Sequence, residues 1–315
     1  MRAKRHFGER NLWLWWLWMS LLLLLAGCAG GGGKLAVITQ EGALTLVDGQ
    51  GRVTERVAGD FTRPAWSRDG SQVALLGRDG QSIHRVDAAS GQLTEIYRSD
   101  LEPPLTLGWS PLPGRGIGPA IQPVLAFDTP GQAVGSRILH LYSLETEGIT
   151  ALDAGPDLRW AWLPNQEILV QAGERRTRFG VNGEILAEEQ VSVPDFVPFA
   201  PGEWGHLAGV PSPDGRWVAH FSLAEGETVD LSLVNSRTGL ERRRYIITPT
   251  PAMRSLLAEL DRWQEGSRLW SPDSRSLWIA QPGTDGQPWI WRFPASERGA
   301  PQPITPGVEA SWSWR

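Results

Sequence analysis

Cysteine is almost missing from this chain: Cys28 is the only one in 315 residues. No disulfide can form within one chain, and no thiolate set is available to hold a metal. Lysine is nearly as scarce, standing only at Lys4 and Lys34, so the positive charge is almost all arginine, which reads as compositional bias. The formal net charge is −5, and without a basic excess there is no field to hold a nucleic-acid backbone. Beyond residue 27, histidine is limited to His84, His140, His206 and His220, none paired at metal-ligand spacing. A G-x-S-x-G nucleophile elbow, a P-loop, a dinucleotide fingerprint and an EF-hand loop are all absent. No catalytic residue, metal ligand or cofactor is therefore assigned.

What is abundant points elsewhere. Gly (36) and Pro (24) make up about a fifth of the chain and imply many turns, while an apolar content of 41 % supplies a core. Tryptophan is the unusual count, 17 against 3 Tyr. The length allows one large domain or two ordinary ones.

The first 28 residues read as a targeting segment. Arg2, Lys4, Arg5 and Arg10 form a basic start, and Leu12 to Gly27 carries no charge over sixteen residues. That run is short for a membrane span and suits the apolar region of an export signal. It closes on Leu25-Ala26-Gly27-Cys28, which resembles the bacterial lipobox. The resemblance implies diacylglycerol on the Cys28 thiol and cleavage before it, with residues 1–27 as signal peptide. An uncleaved anchor helix is the competing reading. Each buried methylene of an acyl chain adds about 0.8 kcal/mol of membrane affinity. Residues 28–33 then form a lipidated Cys and a Gly-rich tether. Loss of residues 1–27 removes four basic residues and Glu9, moving the net charge from −5 to −8. The expected location is the extracytoplasmic face of a bacterial cell membrane.

From residue 34 onward the chain repeats. "PAWSRDGSQVALLG" begins at Pro64, "LGWSPLPGRGIGPAIQPVLAF" at Leu107 and "WAWLPNQEILVQAG" at Trp160. "GVPSPDGRWVAHFS" follows at Gly209 and "RLWSPDSRSLWIAQ" at Arg268, and the chain ends in "ASWSWR". The anchor positions are Trp66, Trp109, Trp162, Pro211, Trp270 and Trp312, spaced by 43, 53, 49, 59 and 42 residues. That is the range of four-stranded propeller blades with loop insertions. Each unit reads as a short first strand ending at Trp-Ser, then a Pro-Asp-Gly type turn. An apolar second strand, an alternating third strand and a more polar fourth strand follow. Residues 34–60 supply strands two to four with no first strand, and "ASWSWR" supplies a first strand with nothing after it. Joined, they make one blade, so the expectation is a six-bladed β-propeller with velcro closure of the chain ends.

Repeated W-S-P-D-G followed by an apolar strand resembles the TolB-type propeller repeat, also called the WD40-like Pro-Asp repeat. The likeness spans residues 34–315 and is best at Trp66–Gly70, Ser212–Gly215 and Trp270–Asp273. The third unit departs with Leu163-Pro164-Asn165, and the second carries a Gly/Pro-rich insert from Leu112 to Ala120. TolB has a further α/β domain before its propeller for which this chain has no room, so the resemblance implies the repeat and not TolB's own role. The related prolyl oligopeptidases add a hydrolase domain after theirs, which has no counterpart here.

Function is then expected where the repeat is interrupted. Connections from a fourth strand to the next first strand share a face with those joining strands two and three. Ser99–Thr106, Val191–Leu207, Thr248–Ser267 and Asp128–Ser136 therefore decorate one face, and loops on a rigid scaffold carry binding. Phe196, Phe199, Trp204 and His206 lie in the second of these. They either meet a partner or fold over the channel mouth. Thr250 can N-cap a helix near 251–265, with Pro251 at its first turn and Gly266 past its end. Met253, Leu256, Leu257, Leu260 and Trp263 form its apolar stripe, which either packs on the propeller or docks a partner. The repeat tryptophans are expected in the core, and Asp69, Asp214 and Asp273 as turn formers. The reading is a lipid-anchored, monomeric binding scaffold for a protein or small ligand. The alternatives are a hydrolase or lyase site in the channel mouth and a sensory or regulatory ectodomain.

Overall fold

The computed structural model describes residues 33–48, 51–99, 106–110, 123–163, 165–191, 209–224, 227–254, 256–257, 269–296 and 299–313. They build six antiparallel sheets, one per repeat unit. Sheet A joins β1 (Leu35–Ile38), β2 (Leu44–Val47) and β3 (Val53–Val57) to β23 (Glu309–Trp312). Sheet B is β4 (Phe61–Trp66), β5 (Gln72–Gly77), β6 (Ser82–Asp87) and β7 (Leu93–Arg98). Sheet C is β8 (Thr106–Trp109), β9 (Val124–Pro130), β10 (Ser136–Ser143) and β11 (Ile149–Pro156). Sheet D is β12 (Arg159–Trp162), β13 (Ile168–Ala172), β14 (Arg175–Phe179) and β15 (Ile185–Gln190). Sheet E is β16 (Val210–Pro211), β17 (Trp217–Leu223), β18 (Val229–Asn235) and β19 (Glu241–Ile247). Sheet F is β20 (Ser276–Pro282), β21 (Pro288–Pro294) and β22 (Gln302–Pro306).

Two first strands are shorter than the repeat predicts. In sheet E, Pro211 stands at the anchor position and has no N–H to donate, and β16 is only two residues long. In sheet F the first strand is reduced to a single bridge, Trp270 to Leu277. The chain arrives there in a helical conformation at Leu269, so only Trp270 is extended enough to pair.

Sheets A, B, C and F are apolar on both faces near the inner edge, because a neighbour covers each face. β1 shows why. Its sequence LAVI is an unbroken apolar run, and all four residues are buried. Leu35 and Val37 join a core with sheets E and F, while Ala36 and Ile38 join one with sheet B. Strand alternation sends them to opposite faces, so a doubly buried strand needs no polar positions. Further cores join sheet B to C and sheet C to D. The fourth strands are the reverse. β15 is exposed at all six positions, and β7 and β19 are mostly polar, which suits an outer edge that must not pair with other chains. All six sheets shift register between their third and fourth strands, a bulge that raises the local twist at the rim.

The repeat tryptophans tie neighbouring sheets by more than burial. The Trp109 indole N–H donates to the Ala65 carbonyl at 3.0 Å, Trp162 to Gly108 at 3.0 Å and Trp270 to Val210 at 3.0 Å. In each case the acceptor is the residue before the anchor position of the preceding unit. Pro211 cannot take this part. The indole N–H groups of Trp66 and Trp312 are buried with no partner among the described residues.

β23 pairs with β1 over Glu309 to Trp312, and its first residue also reaches sheet B. The Glu309 carboxylate accepts the Thr62 hydroxyl at 2.7 Å and the Arg63 N–H at 2.5 Å. Arg63 holds φ at 53°, next to the bulge that separates Thr62 from Ala65. A carboxylate bound to a main-chain N–H steadies that unfavourable conformation.

The difference between Trp270 and Trp66 is testable. Trp→Phe at either site removes similar ring volume, but only Trp270→Phe strands an acceptor. Trp270→Phe is expected to destabilise by about 1 kcal/mol more than Trp66→Phe, read from urea melts of the two variants. Equal losses would show that the indole N–H contributes nothing to the junction.

Candidate functional site

The most repeated polar residues are occupied in holding turns. In sheet B the Ser67 hydroxyl accepts the Gln72 N–H at 2.9 Å and donates to Asp69 at 2.6 Å. Ser212 does the same with the Trp217 N–H and Asp214, and Ser271 with the Ser276 N–H and Asp273. Each Asp also accepts the N–H two residues on, from Ser71, Arg216 or Arg275. The turn closes on a residue at positive φ: Gly70 (70°), Gly215 (69°), Ser274 (59°) and, in the divergent third unit, Gln166 (67°). Glycine takes that conformation without strain, and the clasp holds Ser274 in it where glycine is replaced. Ser, Asp and Gly of the repeat are thus turn chemistry.

The repeat tryptophans are likewise packed. Trp66, Trp109, Trp270 and Trp312 are buried, as are Trp160 and Trp278, and Trp162 is half-buried. His84 and His140 sit in third strands against aromatic neighbours. His84 Nε2 lies 2.9 Å from the Ser82 hydroxyl and its ring meets Phe61 edge-on. His140 Nε2 lies 2.8 Å from the Thr129 hydroxyl and its ring stacks on Phe127. Burial holds both imidazoles below their ordinary pKa. At one end of β9 and β10, Asp128 is fully buried and paired with Arg137. Asp153 pairs with Arg175 of the next sheet, and Asp230 with Arg244.

Among the described residues, no three His, Cys, Asp or Glu side chains stand together as a metal site. The residues expected to carry binding from the sequence, Phe196, Phe199, Trp204, His206 and Trp263, lie outside the described residues, as does the lipidation candidate Cys28. The helix expected at 251–265 is described at 251–254 and 256–257, where the chain is helical. The Thr250 hydroxyl accepts the Met253 N–H at 3.2 Å as an N-cap. Met253 and Leu257 are fully buried in the core of sheets E, F and A, with Leu256 packed against it. That part of the stripe faces the propeller.

One junction departs from the rest. Shared cores or inner-strand bonds link the sheets in the series E, F, A, B, C, D. Sheets D and E are therefore the two ends of that series, and no core cluster among the described residues joins them. On the sides of D and E turned away from those cores, several positions are less buried than their counterparts in the other sheets. Two residues after the anchor's partner, the second strands hold Val37, Leu75, Phe127, Val170 and Ile279, all fully buried; sheet E holds His220, half-buried. One residue after that partner stand Ala36, Ala74, Ala126, Ala219 and Trp278, again fully buried; sheet D holds Leu169, half-buried. Val218 is also half-buried where its counterparts are dry.

Strand register lays out the polar side of sheet D. Arg159 pairs with Gln171, Gln171 with Arg176 and Arg176 with Glu189, so the four form one row on one face. Arg176 reaches Glu189 at 3.3 Å. Gln171 is 3 % exposed; its amide N–H donates to the Gly173 carbonyl at 3.2 Å, and its amide oxygen has no partner among the described residues. In sheet E, the His220 ring lies over Gly209. A Cβ on that glycine would stand 2.7 Å from His220 Cε1 and 1.9 Å from Val218 Cγ1, so only glycine fits. These residues carry a signal in the sequence that repeat alignment exposes. A histidine stands in an otherwise aliphatic or aromatic column, and a leucine stands in a column of alanines broken elsewhere only by Trp278.

No protein-family model matches the chain, and neither does any curated protein. Solved structures do. TolB from Acinetobacter baumannii aligns over 93 % of this chain and 69 % of its own, at 17 % identity and a TM-score of 0.51. A putative TolB from Agrobacterium tumefaciens aligns over 87 % of this chain and 88 % of its own, at 14 % identity and a TM-score of 0.43.

The half-buried His84 and His140 set a pH dependence. Their folded pKa values are lowered, so the unfolded chain binds more protons as pH falls through the ordinary histidine range. Stability is expected to be full above about pH 7 and to decline as pH drops below the unfolded histidine pKa of about 6.5. The double variant His84→Gln/His140→Gln should flatten that decline between pH 7 and 5.5 in thermal melts, and an unchanged slope would contradict the assignment.

Proposed function

With a TolB-like β-propeller as the premise, we propose that the chain is a lipid-anchored cell-envelope protein whose propeller is a binding scaffold for a protein or small ligand. One observation carries the reading: the repeat's polar residues are bonded into its own turns, which leaves the interruptions as the variable chemistry. The connections Ser99–Thr106, Asp128–Ser136, Val191–Leu207 and Thr248–Ser267 are expected on one face of such a scaffold. Fold alone does not assign function, and the anchor is argued from the sequence Leu25-Ala26-Gly27-Cys28. In this reading Cys28 carries the acyl chains, the Gly-rich tether holds the domain off the membrane, and Phe196, Phe199, Trp204, His206 and Trp263 belong to the binding face of a monomer.

Two arms of one experiment test the proposal. Cys28→Ser should abolish incorporation of labelled palmitate and release the protein from its membrane; a variant that stays labelled and anchored ends the lipoprotein reading. Phe196→Ala/Phe199→Ala/Trp204→Ala should lose partners crosslinked in the native envelope while melting at the same temperature. Unchanged crosslinks would remove that face from the proposal.

Closure of the ring by the two chain ends belongs to the same reading, supported by the pairing of β23 with β1 and by Glu309. Deleting Ala310–Arg315 strips a strand from sheet A and uncovers buried Leu35 and Val37. A loss of several kcal/mol is expected, at about 1 kcal/mol per hydrogen bond plus the exposed apolar surface. An unaltered melting temperature would rule the closure out.

A further inference from the structure

Large aliphatic side chains stand exposed at one position of the repeat. Val53, Leu93, Ile149 and Ile185 are each the first residue of a fourth strand, in sheets A, B, C and D, and they are 39 to 63 % exposed. Their partners on the third strands, Val47, Val86, Tyr142 and Phe179, are buried. In sheet E, Leu240 is exposed just before β19, and in sheet D Leu186 is exposed beside Ile185. Single exposed apolar residues are ordinary, but one position filled this way in four successive sheets is not scatter. The four share one end of the sheets. The Glu309 carboxylate, at the start of β23, meets the Thr62 hydroxyl near the start of β4. Trp109 and Trp162, each at the end of a first strand, donate to carbonyls near the end of the preceding one. The first strands of A, B, C and D therefore run the same way, and their third-to-fourth-strand turns lie together.

The chain enters the domain at that same end. Leu35 pairs with Trp312 on one side and Val47 on the other, and Val47 pairs with Val53, so the four form one row across sheet A. The Ser313 N–H donates to the Lys34 carbonyl at 2.7 Å. Six residues, Ala29 to Lys34, separate Cys28 from Leu35, and six residues span at most about 20 Å. A six-residue strand is itself about 20 Å long. A bilayer holding Cys28 therefore lies nearest the end that carries the exposed aliphatics, since reaching the other end would use up the whole tether.

We propose that this end of the sheets rests on the bilayer surface, with Val53, Leu93, Ile149 and Ile185 entering the boundary between headgroups and acyl chains. Apolar side chains partition into that zone. The net charge of −8 beyond residue 27 gives anionic headgroups no general attraction for the domain, so the contact is apolar and indifferent to headgroup charge. The enlarged connections expected at the opposite end of the sheets would then point away from the membrane, towards a partner in solution. The assignment rests on the lipid-anchor reading and adds to it a docked face and an orientation.

The test places a label on the lipidated full chain in phosphatidylcholine vesicles. Cys28 is the only native cysteine and is acylated in this reading, so a maleimide dye marks one introduced thiol. Ala89→Cys puts the dye in the turn before Leu93, and Val134→Cys puts it at the opposite end of sheet C, where the side chain is fully exposed. A lipid carrying a nitroxide near its headgroup should quench the dye at position 89 and leave the dye at position 134 bright. Val53→Thr/Leu93→Thr/Ile149→Thr/Ile185→Thr keeps three of the four positions β-branched and all four suited to a strand. Those substitutions should abolish quenching at position 89, while the protein still floats with the vesicles and melts at the same temperature. Equal quenching at the two positions, quenching that survives the four substitutions, or quenching that needs anionic lipid would overturn the proposal. So would a dye at position 89 that is shielded only in the native envelope, because a protein would then be covering this end. Flotation separates the two readings: a chain that floats without quenching keeps the anchor and loses the docked face, and one that does not float loses both.

Discussion

A four-stranded sheet with two apolar faces cannot satisfy both of them by itself. That constraint organises the molecule. Alternation along β1 sends Leu35 and Val37 to one neighbour and Ala36 and Ile38 to the other, and the sheets inside the series stand in the same position. The hydrophobic term has no direction of its own, so register between sheets must come from bonds. At three of the six anchors the tryptophan supplies one by delivering its indole N–H to a carbonyl on the sheet before it. The residue with the largest apolar surface is thus also the one that fixes alignment.

Much of this was written plainly in the sequence. The spacing of Trp66, Trp109, Trp162, Pro211, Trp270 and Trp312 marks six units, and the six sheets fall within them. The orphan first strand at the C-terminus and the missing one at the N-terminus correspond to β23 beside β1. The placement of His84, His140 and His220 in strands followed from alternation. What escaped is relational. Nothing local to Glu309 announces that it will meet the N–H of Arg63, because the two are brought together only by packing of sheets. Gln171 looks like an ordinary strand glutamine until register sets it between two arginines and burial strips its oxygen of water. The reduction of the fifth unit's first strand to a single bridge depended on how the chain enters it, which periodicity does not encode.

The division of labour between repeat and exception follows from hydrogen-bond capacity. Ser67, Ser212 and Ser271 each use their hydroxyl both as donor and acceptor within one turn, and each partner Asp takes two or more donors. Groups so engaged have little left for a ligand. A chain built on such a repeat can carry recognition only by breaking the pattern, by lengthening a connection or by changing a column of the alignment. His220, Leu169 and Pro211 are breaks of the second kind, and they lie in the two sheets that end the series.

The pairing of β1 with β23 has a consequence for the order of events in folding. Residues 35–38 are among the first of the domain to be made, yet their partner strand is residues 309–312. Contacts so distant along the chain form late, since most of the chain must be ordered before they are rewarded. Until then β1 presents one free edge and β4 lacks the carboxylate that steadies Arg63. Completion of sheet A therefore reports that every intervening unit has been synthesised and set in place. A chain that stops before residue 309 leaves that edge of β1 open.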